Sequence, residues 1–169
     1  MSKPANPVET TDNLQDQTMQ RSNTDNAPRS AIHQTLYSAD TFVQHDYLAG
    51  KNLPDIVRPQ EGQIDWLHFV GINDVALLKH ALEPYGIHEL VIEDILSRKQ
   101  RPKIEDYGSY VFTAAQVYHY TSTGKLHSDQ VYVIIGKDFV LSFQQKPLGL
   151  FSHLRRQMHE NPHNILNKN

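Results

Sequence analysis

The sequence predicts an α/β fold in which a mixed, largely antiparallel sheet is sandwiched between helices. Segments rich in Val, Ile, Phe, Tyr and Thr occur in succession, joined by short turns, as expected of strands. Segments with apolar residues at helical spacing lie between and after them. With 169 residues, the chain is long enough for one domain and short for two.

The first 29 residues differ in composition from the rest of the chain. They hold few large apolar side chains among Asn, Gln, Thr, Asp and Pro, too few to offset the entropy lost on ordering. We therefore expect residues 1–29 to form a disordered polar tail and residues 30–169 to form the folded domain.

The composition argues against several classes of protein. Cysteine is absent, which excludes disulfides and thiolate chemistry and fits a cytosolic setting. No segment approaches the ~20 apolar residues of a membrane-spanning helix, and the N-terminus lacks the apolar region of a secretory signal. The net charge of −3, without a basic stripe, predicts that nucleic acid is not a partner.

The first three strands follow from runs of apolar and β-branched residues. Residues 31–38 and 41–49 are a predicted pair of strands joined by a short turn. The segment 50–62, which contains Pro and Gly, is a predicted loop. Residues 64–70 are apolar on both sides of the chain, which indicates a central strand covered on both faces.

Two helices are predicted next. Asn73 or Asp74 can cap the first, which has apolar residues at helical spacing and ends at Gly86. The second is expected over residues 88–97. It must stop before Pro102, because a proline pushes the residue before it out of the helical region.

The rest of the domain is predicted to form three strands and a helix. The strands cover residues 109–120, 126–135 and 139–145, and because short turns join them they must be antiparallel. A final helix is expected over residues 150–160, with its apolar residues on one face.

Ten histidines invite a metal-binding or catalytic interpretation. His159, Glu160 and His163 match the spacing of zinc metalloproteases, but Pro162 disrupts the helix that this motif needs. The other eight histidines show no ligand spacing, and we expect them to be packed or solvated. Neither a nucleophile elbow nor a phosphate-binding glycine loop occurs, so we expect no enzymatic activity.

The second predicted helix carries the most informative polar residues. On a helical wheel Glu93 lies on a polar arc, whereas Asp94 falls at the edge of the apolar face. A carboxylate there is costly unless it is paired, capped or metal-bound. Asp94 therefore either binds a metal ion, or forms a salt bridge or faces water at the rim. The basic residues that could pair with it are Arg98, Arg101 and Lys103.

Asp94 lies in the first of two characteristic sequence blocks. They are Gly-Ile-His-Glu-Leu-Val-Ile-Glu-Asp-Ile-Leu over residues 86–96 and Gln-Arg-Pro-Lys-Ile-Glu-Asp-Tyr over residues 100–107. Together they resemble the most characteristic block of the soluble domain of the CorA family of divalent-cation transporters. Shorter matches in the same order extend the resemblance from about Ile64 to Arg156.

The resemblance implies the cytoplasmic regulatory domain of a homopentamer in the cell (inner) membrane that conducts Mg²⁺ and also Co²⁺. The stalk, the two membrane helices and the Gly-Met-Asn pore signature of that family are not in this sequence. The domain is thus expected to reach the membrane only through segments beyond residue 169.

The resemblance also implies a regulatory Mg²⁺ site at the interfaces between subunits. The positions that match the family's carboxylates are Asp94 and Glu93. Intracellular Mg²⁺ would bridge carboxylates of two subunits and bias the pore toward a closed state. We expect the isolated domain, which has half of this site, to be monomeric and to bind Mg²⁺ only weakly.

Two alternatives stay open. A zinc transporter of the ZntB group shares the fold, and imidazole ligands would favour Zn²⁺ where hard oxygens favour Mg²⁺. The carboxylates favour Mg²⁺, while the histidines keep Zn²⁺ as a candidate ion, and the resemblance to the CorA family keeps Co²⁺ as another. The other alternative is a stand-alone soluble interaction module that lacks a pore.

Overall fold

The computed structural model describes residues 30–50 and 53–160, and over these residues it confirms the predicted α/β class. The elements in chain order are β1 (Ala31–Tyr37), β2 (Phe42–Leu48), β3 (Ile64–Val70), α1 (Val75–Leu82), a 3₁₀ turn (Glu83–Tyr85), α2 (Glu89–Ser97), β4 (Lys103–Asp106), β5 (Tyr110–Tyr120), β6 (Leu126–Gly136), β7 (Phe139–Gln144) and α3 (Ser152–Glu160). The predicted polar tail over residues 1–29 lies outside the described residues.

The strands form one mixed sheet in the order β2-β1-β3-β7-β6-β5-β4. β1 pairs antiparallel with β2. β5, β6 and β7 pair antiparallel in sequence, as predicted. β3 lies between β1 and β7 and runs parallel to β7, which makes the sheet mixed. The prediction that β3 is a central, covered strand is confirmed, because five of its seven residues are buried.

Helices cover both faces of the sheet. α1 and α2 pack on one face through buried residues such as Leu78 and Val91, which join Phe112 and Phe143 of the sheet in the main core. α3 follows Phe151, whose ring lies 5.0 Å from that of His68 on the opposite face. The sheet is therefore sandwiched, with the second helix held against the β4 end.

β4 is a strand that the sequence pattern did not predict. It has four residues at the edge of the sheet, pairs only with β5, and alternates half-buried with exposed side chains. Short, charged strands are common at sheet edges because they discourage pairing with other chains, and they carry little periodic signal. β4 follows α2 closely and brings Lys103 back beside that helix.

Candidate functional site

α2 is anchored at both ends and along one side. His88 caps it, with Nδ1 accepting the N–H of Leu90 at 3.2 Å. Val91 and Ile95 are fully buried in the core. Arg98 ends the helix in the left-handed conformation, with φ of 57°. These anchors fix the rotation of α2, so that Asp94 lies beside the core rather than within it.

Both carboxylate oxygens of Asp94 have a partner within the domain. Oδ2 lies 2.7 Å from Nζ of Lys103, and Oδ1 accepts a hydrogen bond of 2.8 Å from Nε2 of Gln100. The side chain keeps 24% of its surface exposed, so solvent ions can reach it. Of the three basic residues considered as partners, Lys103 is the one that forms the ion pair.

Lys103 is shared between two carboxylates. Its ammonium also lies 3.0 Å from Oε1 of Glu105 and 5.4 Å from the ring centre of Phe112. The hydrogen bond to Asp94 is the main cause of a raised pKa of Lys103. The ammonium is therefore held charged beside α2, with a second acidic partner available on its own strand.

A polar network extends from Asp94 to the neighbouring strands. Gln100 exchanges two hydrogen bonds with Gln130, its N–H donating at 3.0 Å to Oε1 and its carbonyl accepting from Nε2. The hydroxyl of Tyr132 donates to the same Oε1 at 2.8 Å. Burial, with the nearby charge of Asp94, raises the pKa of Tyr132 to about 12. The negative charge of Asp94 thus acts on the hydroxyl of Tyr132 in β6.

The structure separates Glu93 from Asp94. Glu93 is exposed, and consecutive residues on a helix face different directions. Within residues 30–50 and 53–160, no group of three or more His, Asp or Glu side chains is already arranged to hold a metal ion. A metal ion at Asp94 would therefore take its other ligands from water or from another subunit.

The donor chemistry of this site fits Mg²⁺. Carboxylate and amide oxygens are hard ligands, and Mg²⁺ needs only one or two carboxylates because it retains several waters. Direct binding to Asp94 requires Lys103 or Gln100 to leave one oxygen. Lys103 can do so at low cost, because Glu105 already contacts its ammonium.

His159 is the histidine of the protease-like motif that lies in the described part of the chain, and it belongs to no metal-binding group there. His159 lies near the end of α3, where its ring contacts the edge of Phe42 at 5.9 Å between centroids. Pro162 and His163 lie outside the described residues, so the rejection of a zinc protease stays a prediction.

Sequence spacing missed one cluster of metal-binding residue types. The register of β5 and β6 places His119 directly opposite His127, and Asp129 lies one diagonal step away. A spacing of eight residues is not a helical ligand pattern. The short turn predicted between the strands at residues 109–120 and 126–135 was the signal that could have paired the two histidines.

None of the helices in the described residues is long and apolar enough to cross a lipid bilayer.

A family model described as a CorA-like Mg²⁺ transporter protein matches residues 61–168. The chain is 37% identical over 97 residues to the cobalt/magnesium transport protein CorA of Thermotoga maritima, covering 57% of this chain and 28% of that protein. It is 31% identical over 132 residues to the putative metal ion transporter YfjQ of Bacillus subtilis, covering 76% of this chain and 39% of that protein. The chain thus spans well under half the length of these relatives.

Solved structures share the fold. The soluble domain of CorA from Methanocaldococcus jannaschii matches with a TM-score of 0.57 and 9% identity, over 76% of this chain and 46% of that one. The cytoplasmic domain of ZntB from Vibrio parahaemolyticus matches with a TM-score of 0.53 and 11% identity, over 77% and 50%. At these identities the likeness concerns the fold alone, and it agrees with the predicted architecture.

Proposed function

Because the chain belongs to the family of CorA-like Mg²⁺ transporters, we propose that its folded domain is the cytoplasmic regulatory domain of a divalent-cation transporter. The family is one of transporters rather than enzymes. We further propose that the full-length protein is a homopentamer in the inner membrane and carries Mg²⁺ and Co²⁺. The curated relative from Thermotoga maritima, which is named for both ions, supports this choice of cargo.

The regulatory step that we propose is an exchange of cations at Asp94. When Mg²⁺ is scarce, Lys103 neutralises the carboxylate, as the 2.7 Å ion pair indicates. When Mg²⁺ is abundant, the divalent ion replaces the ammonium on Asp94, and Lys103 stays paired with Glu105. Glu93, which is exposed on the same helix, contributes through bound water or to the neighbouring subunit.

The single observation that carries this proposal is the partly exposed Asp94–Lys103 pair. A buried pair would resist exchange, and a fully exposed one would have little effect on structure. Mg²⁺ bridging two subunits stabilises only the conformation in which they approach. Because Mg²⁺ binds this conformation more tightly than the one in which the subunits are apart, it shifts the population toward a closed pore.

Zinc transport is the second candidate, since the ZntB cytoplasmic domain has the same fold. The oxygen ligands around Asp94 favour Mg²⁺ over Zn²⁺ at this position. A stand-alone module without a pore is the less favoured reading of a chain that matches a transporter family over residues 61–168.

The test is limited proteolysis of the full-length protein over a range of Mg²⁺ concentrations. Asp94→Asn keeps the size of the side chain and removes the charge, while Glu89→Gln makes the same change at an exposed position of the same helix. We expect Asp94→Asn to raise the Mg²⁺ concentration needed for protection by at least about tenfold, because a ligand is lost. Glu89→Gln should behave as wild type. Equal protection of Asp94→Asn and wild type would contradict the assignment.

A further inference from the structure

The β5–β6 hairpin carries three metal-binding side chains next to its turn, on one face of the sheet. His119 of β5 lies directly opposite His127 of β6. Asp129 lies two residues further along β6, opposite Val117. Because side chains alternate along a strand, His119, His127 and Asp129 all project from the same face.

These side chains are close, and their hydrogen bonding is incomplete. Nε2 of His119 lies 3.8 Å from Oδ2 of Asp129, too far for a hydrogen bond. The rings of His119 and His127 are 6.2 Å apart between centroids. Oδ2 of Asp129 and Nδ1 of His119 are buried without a hydrogen-bond partner in the described part of the chain.

The unpaired carboxylate oxygen is the unusual feature. The side chain of Asp129 is only 12% exposed, and buried polar atoms normally have a partner. The other oxygen, Oδ1, lies 3.2 Å from Nζ of Lys146. One oxygen is therefore held in place while the other, directed toward His119, lacks the partner that a cation would supply.

The spacing suits a first-row transition metal. Bonds of about 2.0–2.2 Å from a metal to N and O at a tetrahedral angle separate the two ligand atoms by about 3.4 Å. The observed 3.8 Å between Nε2 and Oδ2 is close to this value. Two imidazoles on one such ion have ring centres roughly 5–6 Å apart. The exposed His127 ring must rotate to reach the same point, because the three side chains are not already arranged around one position in the described residues.

We propose that His119, His127 and Asp129 bind a divalent transition-metal ion of the Zn²⁺ type, with water completing the coordination. Two imidazoles and one carboxylate form a ligand set that suits Zn²⁺ and Co²⁺, whereas Mg²⁺ takes oxygen ligands. Lys146 orients the carboxylate through its second oxygen, as outer-shell groups do in metal sites. This site is separate from Asp94 and selects a different class of ion.

The experiment is a titration of the whole chain with Co²⁺, followed by its visible absorption and by displacement with Zn²⁺. We expect one saturable Co²⁺ site whose affinity falls at least about tenfold in His127→Ala, His119→Ala and Asp129→Asn. His127 is exposed, so its loss does not disturb the core. His153→Ala, a change of an exposed histidine on α3, is the matched control and should bind as wild type.

Other histidines could also bind Co²⁺, so a His159→Ala/His163→Ala variant is included. If the signal disappears in that variant and persists in His127→Ala, the proposal is wrong. The proposal is also wrong if the wild type shows no saturable Co²⁺ signal. Asp94→Asn should bind Co²⁺ as wild type, and millimolar Mg²⁺ should not displace the ion. The transition-metal site and the proposed Mg²⁺ sensor can thus fail independently.

Discussion

Nζ of Lys103 lies 2.7 Å from Oδ2 of Asp94, so an amino group of the protein occupies the side of α2 where a divalent cation is proposed to bind. The pair joins α2 to the edge strand β4, two elements that are separated by a short loop. Exchange of the ammonium for an ion would therefore act on the position of β4 relative to α2. Replacing each partner separately distinguishes this exchange from a merely structural ion pair.

Lys103→Met is expected to make the full-length protein more sensitive to Mg²⁺. Removing the competing ammonium leaves Asp94 free for the ion. A partly exposed pair contributes up to ~1 kcal/mol, which corresponds to about fivefold in Mg²⁺ concentration. Limited proteolysis over a Mg²⁺ series measures the shift. Lys99→Met, which removes an exposed lysine nearby, is the control.

The opposite signs of the two substitutions make this test decisive. If the pair only stabilised the fold, Lys103→Met and Asp94→Asn would both weaken protection. A rise in the Mg²⁺ requirement of Lys103→Met would therefore contradict the exchange.

Local pattern predicted most of the elements but not their arrangement. The alternation and helical spacing of β5, β6 and α2 were strong enough to define them within one or two residues. The parallel pairing of β3 with β7 joins segments about 75 residues apart, such as Trp66 with Val140. No local property of either strand encodes that pairing.

For the candidate site too, the sequence predicted what is local to one element but not the contacts between elements. The helical wheel identified Asp94 as misplaced, because its position relative to the apolar face is a local property. Its partner depended on β4, whose four residues carry too little periodicity to be recognised. The cluster of His119, His127 and Asp129 depended on hairpin register, which follows from turn geometry rather than from residue spacing.

Tyr85→Phe should destabilise the domain by about 1.5–3 kcal/mol, the range for a hydrogen bond to a charged group. The hydroxyl of Tyr85 donates to Oδ2 of Asp65 at 2.5 Å, and Gln34 donates to the same carboxylate. Asp65 is completely buried, and burial raises its pKa. Losing one donor leaves this carboxylate poorly satisfied.

Urea denaturation at neutral pH measures the effect of Tyr85→Phe. Tyr107→Phe is the control, since its hydroxyl bonds Glu105 at 3.2 Å near the surface, and it should cost well under half as much. Equal losses of unfolding free energy in the two variants would show that the buried hydrogen bond to Asp65 stabilises the domain no more than the one near the surface.

Gly136→Ala should cost about 1–3 kcal/mol through overpacking. A methyl group at Gly136 would overlap the ring of Phe139, which packs at 4.9 Å from the ring of Tyr85. Phe139→Leu in the same chain should recover part of the loss, because the smaller side chain leaves room. Thermal denaturation of the single and double variants measures this, and simple additivity of the two effects would contradict the overlap.

Acidification should destabilise the domain through His68. Its imidazole is 1% exposed and lies 2.8 Å through Nδ1 from Oγ of Ser142, whose oxygen also accepts the indole N–H of Trp66. Burial, with a smaller contribution from Arg155, lowers the pKa of His68 to about 3. Because this pKa is depressed, the unfolded chain binds more protons than the folded one between pH 3 and the ordinary value near 6.5. Stability is therefore complete above about pH 6.5 and is lost as pH falls toward 3.

The slope expected from His68 approaches about 1.4 kcal/mol per pH unit below pH 6. His68→Asn retains an acceptor for Ser142 and removes the titration. Its stability at pH 7 falls, but its loss of stability between pH 7 and pH 5 should be smaller than that of the wild type by about 2 kcal/mol. His153→Asn changes an exposed histidine and should keep the wild-type dependence. Urea denaturation at several pH values measures both slopes. If His68→Asn and wild type lose stability in parallel, another group causes the acid sensitivity, and the buried imidazole is not the proton acceptor.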